Sequence, residues 1–100
     1  MNKSVYKQAF ERSTGLCEIC GSNNGVELHH ILYGNGNRKK CERVETVIFL
    51  CYEHHRGTKG IHGRDGHKLD LKLKQKLQQY YFDEGIREIE VRKLMSDRLY

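Results

Sequence analysis

The sequence predicts a small α+β domain: two short strands and a helix carrying metal ligands, with further helices before and after them. Three observations predict it. Val26 to Ile31, which contains Leu28-His29-His30-Ile31, alternates as a half-buried strand does. Two ligand-rich knuckles bracket that run, Cys17-Glu18-Ile19-Cys20 before it and Cys51-Tyr52-Glu53-His54-His55 after it. Residues 67–83 carry an apolar helical stripe of Leu69, Leu73, Leu77 and Tyr80 or Tyr81.

One hundred residues make a single domain, 1–100, with a modest core. Only 37% of residues are hydrophobic, 31% are charged and tryptophan is absent, a balance that a structural metal often supports. Eighteen Lys and Arg against 13 Asp and Glu leave a net charge of +5, which suits a nucleic-acid partner. Met1 to Lys7 holds no apolar signal segment, and the apolar run Val47 to Cys51 is far too short to span a membrane. We therefore expect a cytoplasmic protein with no membrane partner. In that reducing setting the four cysteines serve a metal rather than disulfides. A thioredoxin-like use of Cys17 and Cys20 would want a surrounding βαβ pattern, which is not visible.

Taken in order, Ser4 to Thr14 reads as a packing helix, with Val5 and Ala9, and Tyr6 and Phe10, spaced by four and Gly15 as its stop. Leu16 to Gly21 is a zinc-knuckle sequence whose glycine allows a tight turn. In the strand Val26 to Ile31, His29 and His30 must point to opposite faces, so one ligand and one catalyst fit better than two ligands. Leu32 to Glu45, including Tyr33-Gly34-Asn35-Gly36, is expected as an extended or Ω-type loop. Its basic tip, Arg38, Lys39 and Lys40, reads equally as a solvated loop or as a grip on a phosphate backbone. Val44 to Leu50 is the second strand, antiparallel to the first, and Cys51 to Arg56 opens a helix. On that helix Cys51 and His54 share a face, with His55 rotated away from them. Gly57, Gly60, Gly63 and Gly66 then recur every third residue, which reads as a flexible connector or, favoured here, as a backbone able to approach a ligand, with Arg56, Lys59 and Arg64 beside it as phosphate contacts. After the helix His67 to Asp83, closed by Gly85, Ile86 to Tyr100 is expected as a last helix built on Ile86, Ile89 and Leu94 or Met95.

Two ligand sets can be assembled. Cys17, Cys20, Cys51 and His54 form a closed Cys3His set, suited to a structural zinc that clips the N-terminal segment to the helix at Cys51. Such a site contributes on the order of 10 kcal/mol of folding free energy, by analogy with zinc-finger peptides. Cys41 competes for a place but lacks a knuckle partner, and His54 and His55 can exchange roles. His29, His30 and His55, with His62 as a further candidate, are the residues of a second, catalytic set.

Together, Cys17-x-x-Cys20, Leu28-His29-His30-Ile31 and Phe49-Leu50-Cys51-x-x-His54-His55 resemble the HNH endonuclease family over roughly residues 16–62. The run His55-Arg56-Gly57-Thr58-Lys59-Gly60 is similar to the continuation in small phage-borne members. The resemblance implies a ββα-metal core extended by helices over about 67–100. It implies a metal-dependent DNA endonuclease in which His29 and His55 hold one catalytic divalent ion (Mg, Mn, Ni or Zn) and His30 deprotonates the attacking water. The metal would hold a non-bridging phosphate oxygen and stabilise the leaving 3′-oxygen. The chain departs from the family at two places. Thr46 stands where the family has the asparagine that ties down the loop and orients the base. Lys59 stands where a further ligand is common, so His62 or water would complete the set. A rival reading from another class is a non-catalytic zinc module that binds nucleic acid, although that needs neither a His-His strand nor His55. A metal buffer or a disulfide-stapled secreted domain has less support still.

Overall fold

A computed structural model of the chain describes residues 2–34 and 36–100. Met1, in the expected signal-free N-terminal run, and Asn35, in the expected long loop, lie outside the described residues. The centre is a two-stranded antiparallel ladder, β1 (Glu27–His30) against β2 (Val47–Leu50). The register pairs Glu27 with Leu50, Leu28 with Phe49, His29 with Ile48 and His30 with Val47. Directly opposed residues share a face of such a ladder. Leu28, His30, Val47 and Phe49 therefore look one way, and Glu27, His29, Ile48 and Leu50 the other.

The first face meets α1 (Lys3–Ser13), where Val5 and Ala9 close a small cluster with Val47 and Phe49. Tyr6 and Phe10 stay half-exposed but pack edge-on against Phe49, with ring centroids 5.5 and 6.0 Å away. Asn2 caps the helix by accepting the Ser4 and Val5 amides, and Thr14 and Gly15 end it with φ of 56° and 77°. On the other side, α4 (His67–Asp83) and α5 (Glu88–Leu94) contribute to the larger core. Leu73, Leu77, Tyr81, Val91 and Met95 join Leu50, Ile31 and Ile61 in the larger core. Of the two tyrosines at the end of the α4 stripe, Tyr81 is the buried one and Tyr80 is 48% exposed.

Several expectations change on this backbone. β2 starts at Val47 rather than Val44, because Val44–Thr46 forms a 3-10 turn. The Arg43 amide donates to Thr46 Oγ1 at 2.9 Å and the Thr46 amide to the Arg43 carbonyl at 3.0 Å. This local capping wins over the β-branched character of the segment. The stretch 32–45 is not one irregular loop, since it also holds α2 (Asn37–Lys40), entered through Gly36 at φ 80°. Between β2 and the glycine-rich stretch, α3 (Tyr52–His55) is shorter than expected. The last helix stops at Leu94, because Ser96 and Asp97 adopt φ of 64° and 65°. It buries Val91 and Met95, whereas Ile89, expected in the core, is 60% exposed.

The glycine array has a packing role in addition to the expected one. The Gly60, Gly63 and Gly66 amides donate to the Gly57, Gly60 and Gly63 carbonyls at 2.9, 2.9 and 3.2 Å. A Cβ on Gly63 would collide with the Gly57 carbonyl, and one on Gly66 with that of Gly60. The missing side chains let the backbone approach itself closely here. A radius of gyration of 13.3 Å matches the ~13 Å of a compact chain of this length. Among the described residues no helix is long and apolar enough to cross a membrane.

Candidate metal centres

The first cluster forms where the N-terminal knuckle meets the start of α3. Gly21, at φ 77°, turns the knuckle back so that its amide reaches the Cys17 carbonyl at 2.8 Å. The Glu18 amide then donates to the Phe49 carbonyl at 2.9 Å, and Glu18 Oε2 accepts the Phe49 amide at 2.8 Å. Arg12 grips the same carboxylate from α1, at 2.9 Å through Nη2. The knuckle is thereby tied to β2, and Cys17, Cys20, Cys51 and His54 converge.

The spacing of these four donors is informative. A tetrahedral zinc with bonds of about 2.3 Å to sulfur and 2.0 Å to nitrogen separates its ligands by about 3.8 Å (S to S) and 3.5 Å (S to N). Cys20 Sγ lies 3.7 Å from Cys51 Sγ, and His54 Nδ1 lies 3.7 and 3.2 Å from the sulfurs of Cys17 and Cys51. All four cysteines are free thiols. Burial opposes ionisation of Cys17, but the Cys51, Cys20 and Ile19 amides outweigh it and bring the thiol down to about 6. The Ser22 amide favours the Cys20 thiolate, yet burial and the sulfurs of Cys17 and Cys51 push it up overall. A divalent cation between these sulfurs would remove that mutual repulsion. The cluster fits a structural metal such as zinc.

The second cluster lies on the Glu27–His29 face of β1. His29 comes from the strand, His55 from α3 and His62 from the glycine-rich turns, and their donor atoms lie within 4.8 Å of one another. His62 is brought in by the backbone: its amide donates to the His55 carbonyl at 2.8 Å, and the Ile61 amide to that of His54 at 2.9 Å. The ring centroids are 4.7 to 5.3 Å apart. His29 and His55 are buried, and among the described residues His29 Nε2 and His55 Nδ1 have no hydrogen-bond partner. Burial, reinforced by His55 and His62, holds His29 down at about 3, and burial with His62 likewise lowers His55. Neutral imidazoles with unpaired buried nitrogens are what a cation site requires.

Glu27 stands beside His55, its Oε1 3.5 Å from Nδ1, too far for a good hydrogen bond but near enough to favour one ring orientation. Arg56 holds that carboxylate at 2.9 Å and lowers its pKa. Arg56, expected as a phosphate contact, is thus engaged by Glu27. Lys59 and Arg64 are exposed, and Arg64 Nη2 lies 3.9 Å from Asp65 Oδ2.

His30 looks to the opposite face, as strand alternation requires. It lines a cleft of about 660 Å³ with Asn2, Arg38, Lys39 and Glu42, and its Nε2 lies 3.0 Å from Glu42 Oε1. Arg38, Lys39 and Lys40 project from α2 as an exposed basic group. Lys40 faces a different cleft, lined also by Tyr33, Asp70, Lys74 and Tyr100. Thr46 is 1% exposed, and its hydroxyl donates to the Cys41 carbonyl while accepting the Arg43 amide. It ties the loop, and its hydroxyl is taken up there and not by His30. Cys41 is buried apart from both clusters.

Sequence reasoning missed Glu27 and Glu42. Glu27 carried a signal, since it lies two residues before His29 on the same strand face. Glu42 carried none, because only the path of the loop brings it to His30. No family model matches the chain, and neither a curated protein nor a solved structure shows significant similarity to it.

Proposed function

We propose that this protein is an HNH-type endonuclease with a ββα-metal core that hydrolyses phosphodiester bonds in DNA. The observation that carries the reading is the convergence of His29, His55 and His62 on the strand that presents His30 from its other face. A structural zinc module explains Cys17, Cys20, Cys51 and His54 but leaves three further histidines, two of them buried, without a purpose.

His29, His55 and His62 would hold the catalytic divalent ion, and three nitrogen donors favour Ni, Zn or Mn over Mg. An ion held there would supply Lewis acidity toward the phosphate and the leaving oxygen. His30 takes the proton of the attacking water. Arg38 and Lys39, beside His30, hold the DNA backbone, with Lys40, Lys59 and Arg64 extending the positive surface. Glu27 adds a carboxylate beside His55 Nδ1, and Thr46 keeps the turn before β2 closed.

Metal analysis combined with plasmid nicking tests the reading. Two metal sites per chain are expected, one of them easily stripped, and relaxation of supercoiled plasmid should require the second metal. His29→Ala and His55→Ala should each lose the labile metal and the nicking while keeping the zinc. A single tightly held zinc and no nicking under any divalent ion would instead favour the non-catalytic nucleic-acid-binding module.

A further inference from the structure

We infer that Glu42 is a positioning residue for His30: it holds the ring through Nε2 and so leaves Nδ1 as the nitrogen that receives a proton. The inference rests on the nuclease reading of His30. A carboxylate only accepts hydrogen bonds, so the ring nitrogen 3.0 Å from Glu42 Oε1 carries its hydrogen. In the neutral imidazole the other nitrogen is then bare. Among the described residues Nε2 alone of this ring is hydrogen-bonded, so Nδ1 is free for a water molecule.

The carboxylate is itself held. Glu42 Oε2 accepts the backbone amide of Asn2 at 3.0 Å, and Asn2 is the residue that caps α1. The side chains of His30 and Glu42 are only 18% and 13% exposed, so neither swings freely in solvent. The hydrogen bond from His30, followed by that from the Asn2 amide, keeps the Glu42 carboxyl below its ordinary pKa and therefore ionised. The arrangement is that of a carboxylate orienting a general-base imidazole, where the acid selects the tautomer and takes no proton itself. It also gives the N-terminal helix a connection to the chemistry, through the Asn2 amide.

Glu42→Gln tests this with little change in shape. The Asn2 amide can only donate, so it claims the single carbonyl oxygen of the glutamine. The glutamine NH2 then faces His30 and forces it to accept through Nε2, moving the hydrogen to Nδ1. Long-range 1H–15N correlation spectra of the zinc-loaded protein, at a pH where the ring is neutral, read the tautomer directly. The natural protein should show His30 as Nε2–H and Glu42→Gln as Nδ1–H. In plasmid nicking, Glu42→Gln should lower kcat about 10- to 100-fold with KM and unfolding midpoint unchanged. Adding it to His30→Ala should cost nothing further. An Nδ1–H tautomer in the natural protein, or a natural kcat in Glu42→Gln, would overturn the inference. If the natural protein does not nick while the tautomers behave as stated, the nuclease reading fails and the hold of Glu42 on the ring stands.

Discussion

At the scale of single residues, the site depends on groups whose polar atoms leave no slack. Thr46 is the clearest. Its hydroxyl joins the Cys41 carbonyl to the Arg43 amide in a place only 1% exposed. Thr46→Val keeps the shape but leaves both partners unpaired, and should destabilise the fold by about 1–3 kcal/mol in urea unfolding. Thr46→Ser, which retains the hydroxyl, should recover most of that; equal losses in the two variants would show that packing, not hydrogen bonding, is what Thr46 supplies. Strand alternation was enough to separate His29 from His30. It could not say what each would meet, because Glu42 is twelve residues from His30 and only the loop's path joins them.

At the scale of elements, the turn before β2 is held to the C-terminal helices by one polar knot. Arg43 reaches the Tyr81 hydroxyl at 3.1 Å and the Leu94 carbonyl at 2.7 Å, and Tyr81 donates to Glu45 at 2.9 Å. Burial, with Glu45 and against Arg43, pushes Tyr81 up to about 12. The folded state therefore keeps this proton longer than the unfolded chain, which releases it near pH 10. Stability from this group is complete below pH 10 and is lost as the pH rises toward 12. The stability advantage of the natural protein over Tyr81→Phe should accordingly shrink between pH 10 and 12 in chemical denaturation series, and a constant gap would contradict the assignment. The glycine-rich turns give a second element-scale expectation. Gly63→Ala sets a methyl against the Gly57 carbonyl and disturbs the neighbouring His62, so both the unfolding midpoint and occupancy of the three-histidine site should fall. Cobalt titration read at the two sites separately checks this. The period of three was visible in the sequence, but its purpose was not: composition cannot distinguish a backbone that nears a ligand from one that nears itself. The helix over 67–83 was legible because its stripe repeats for four turns. The Val44–Thr46 turn was not, because its two hydrogen bonds with Arg43 override β-branched propensity.

At the scale of the whole molecule, a thin core is divided by the β-ladder into two parts, and the Cys3His cluster joins the N-terminal segment to the strand and helix between them. A structural zinc contributes on the order of 10 kcal/mol, comparable with the whole stability of a domain this size. Removing the metal with a strong chelator should therefore abolish most of the cooperative unfolding transition followed by circular dichroism, and zinc should restore it. An unchanged transition would mean that the cluster is not structural. Knuckle spacing pointed to the Cys3His set while leaving Cys41 and His55 as alternatives, and the convergence of Cys17, Cys20, Cys51 and His54, with three donor pairs 3.2–3.7 Å apart, agrees with that reading. The central claim is that His30 activates water for DNA hydrolysis beside a metal on the opposite strand face. It is tested most directly by the rate at which supercoiled plasmid is nicked in the presence of added divalent metal, with the natural protein and His30→Ala compared at equal metal content. The account predicts metal-dependent nicking that falls at least about 100-fold in His30→Ala while the fold and both metal sites persist. Nicking at the natural rate in that variant would contradict it.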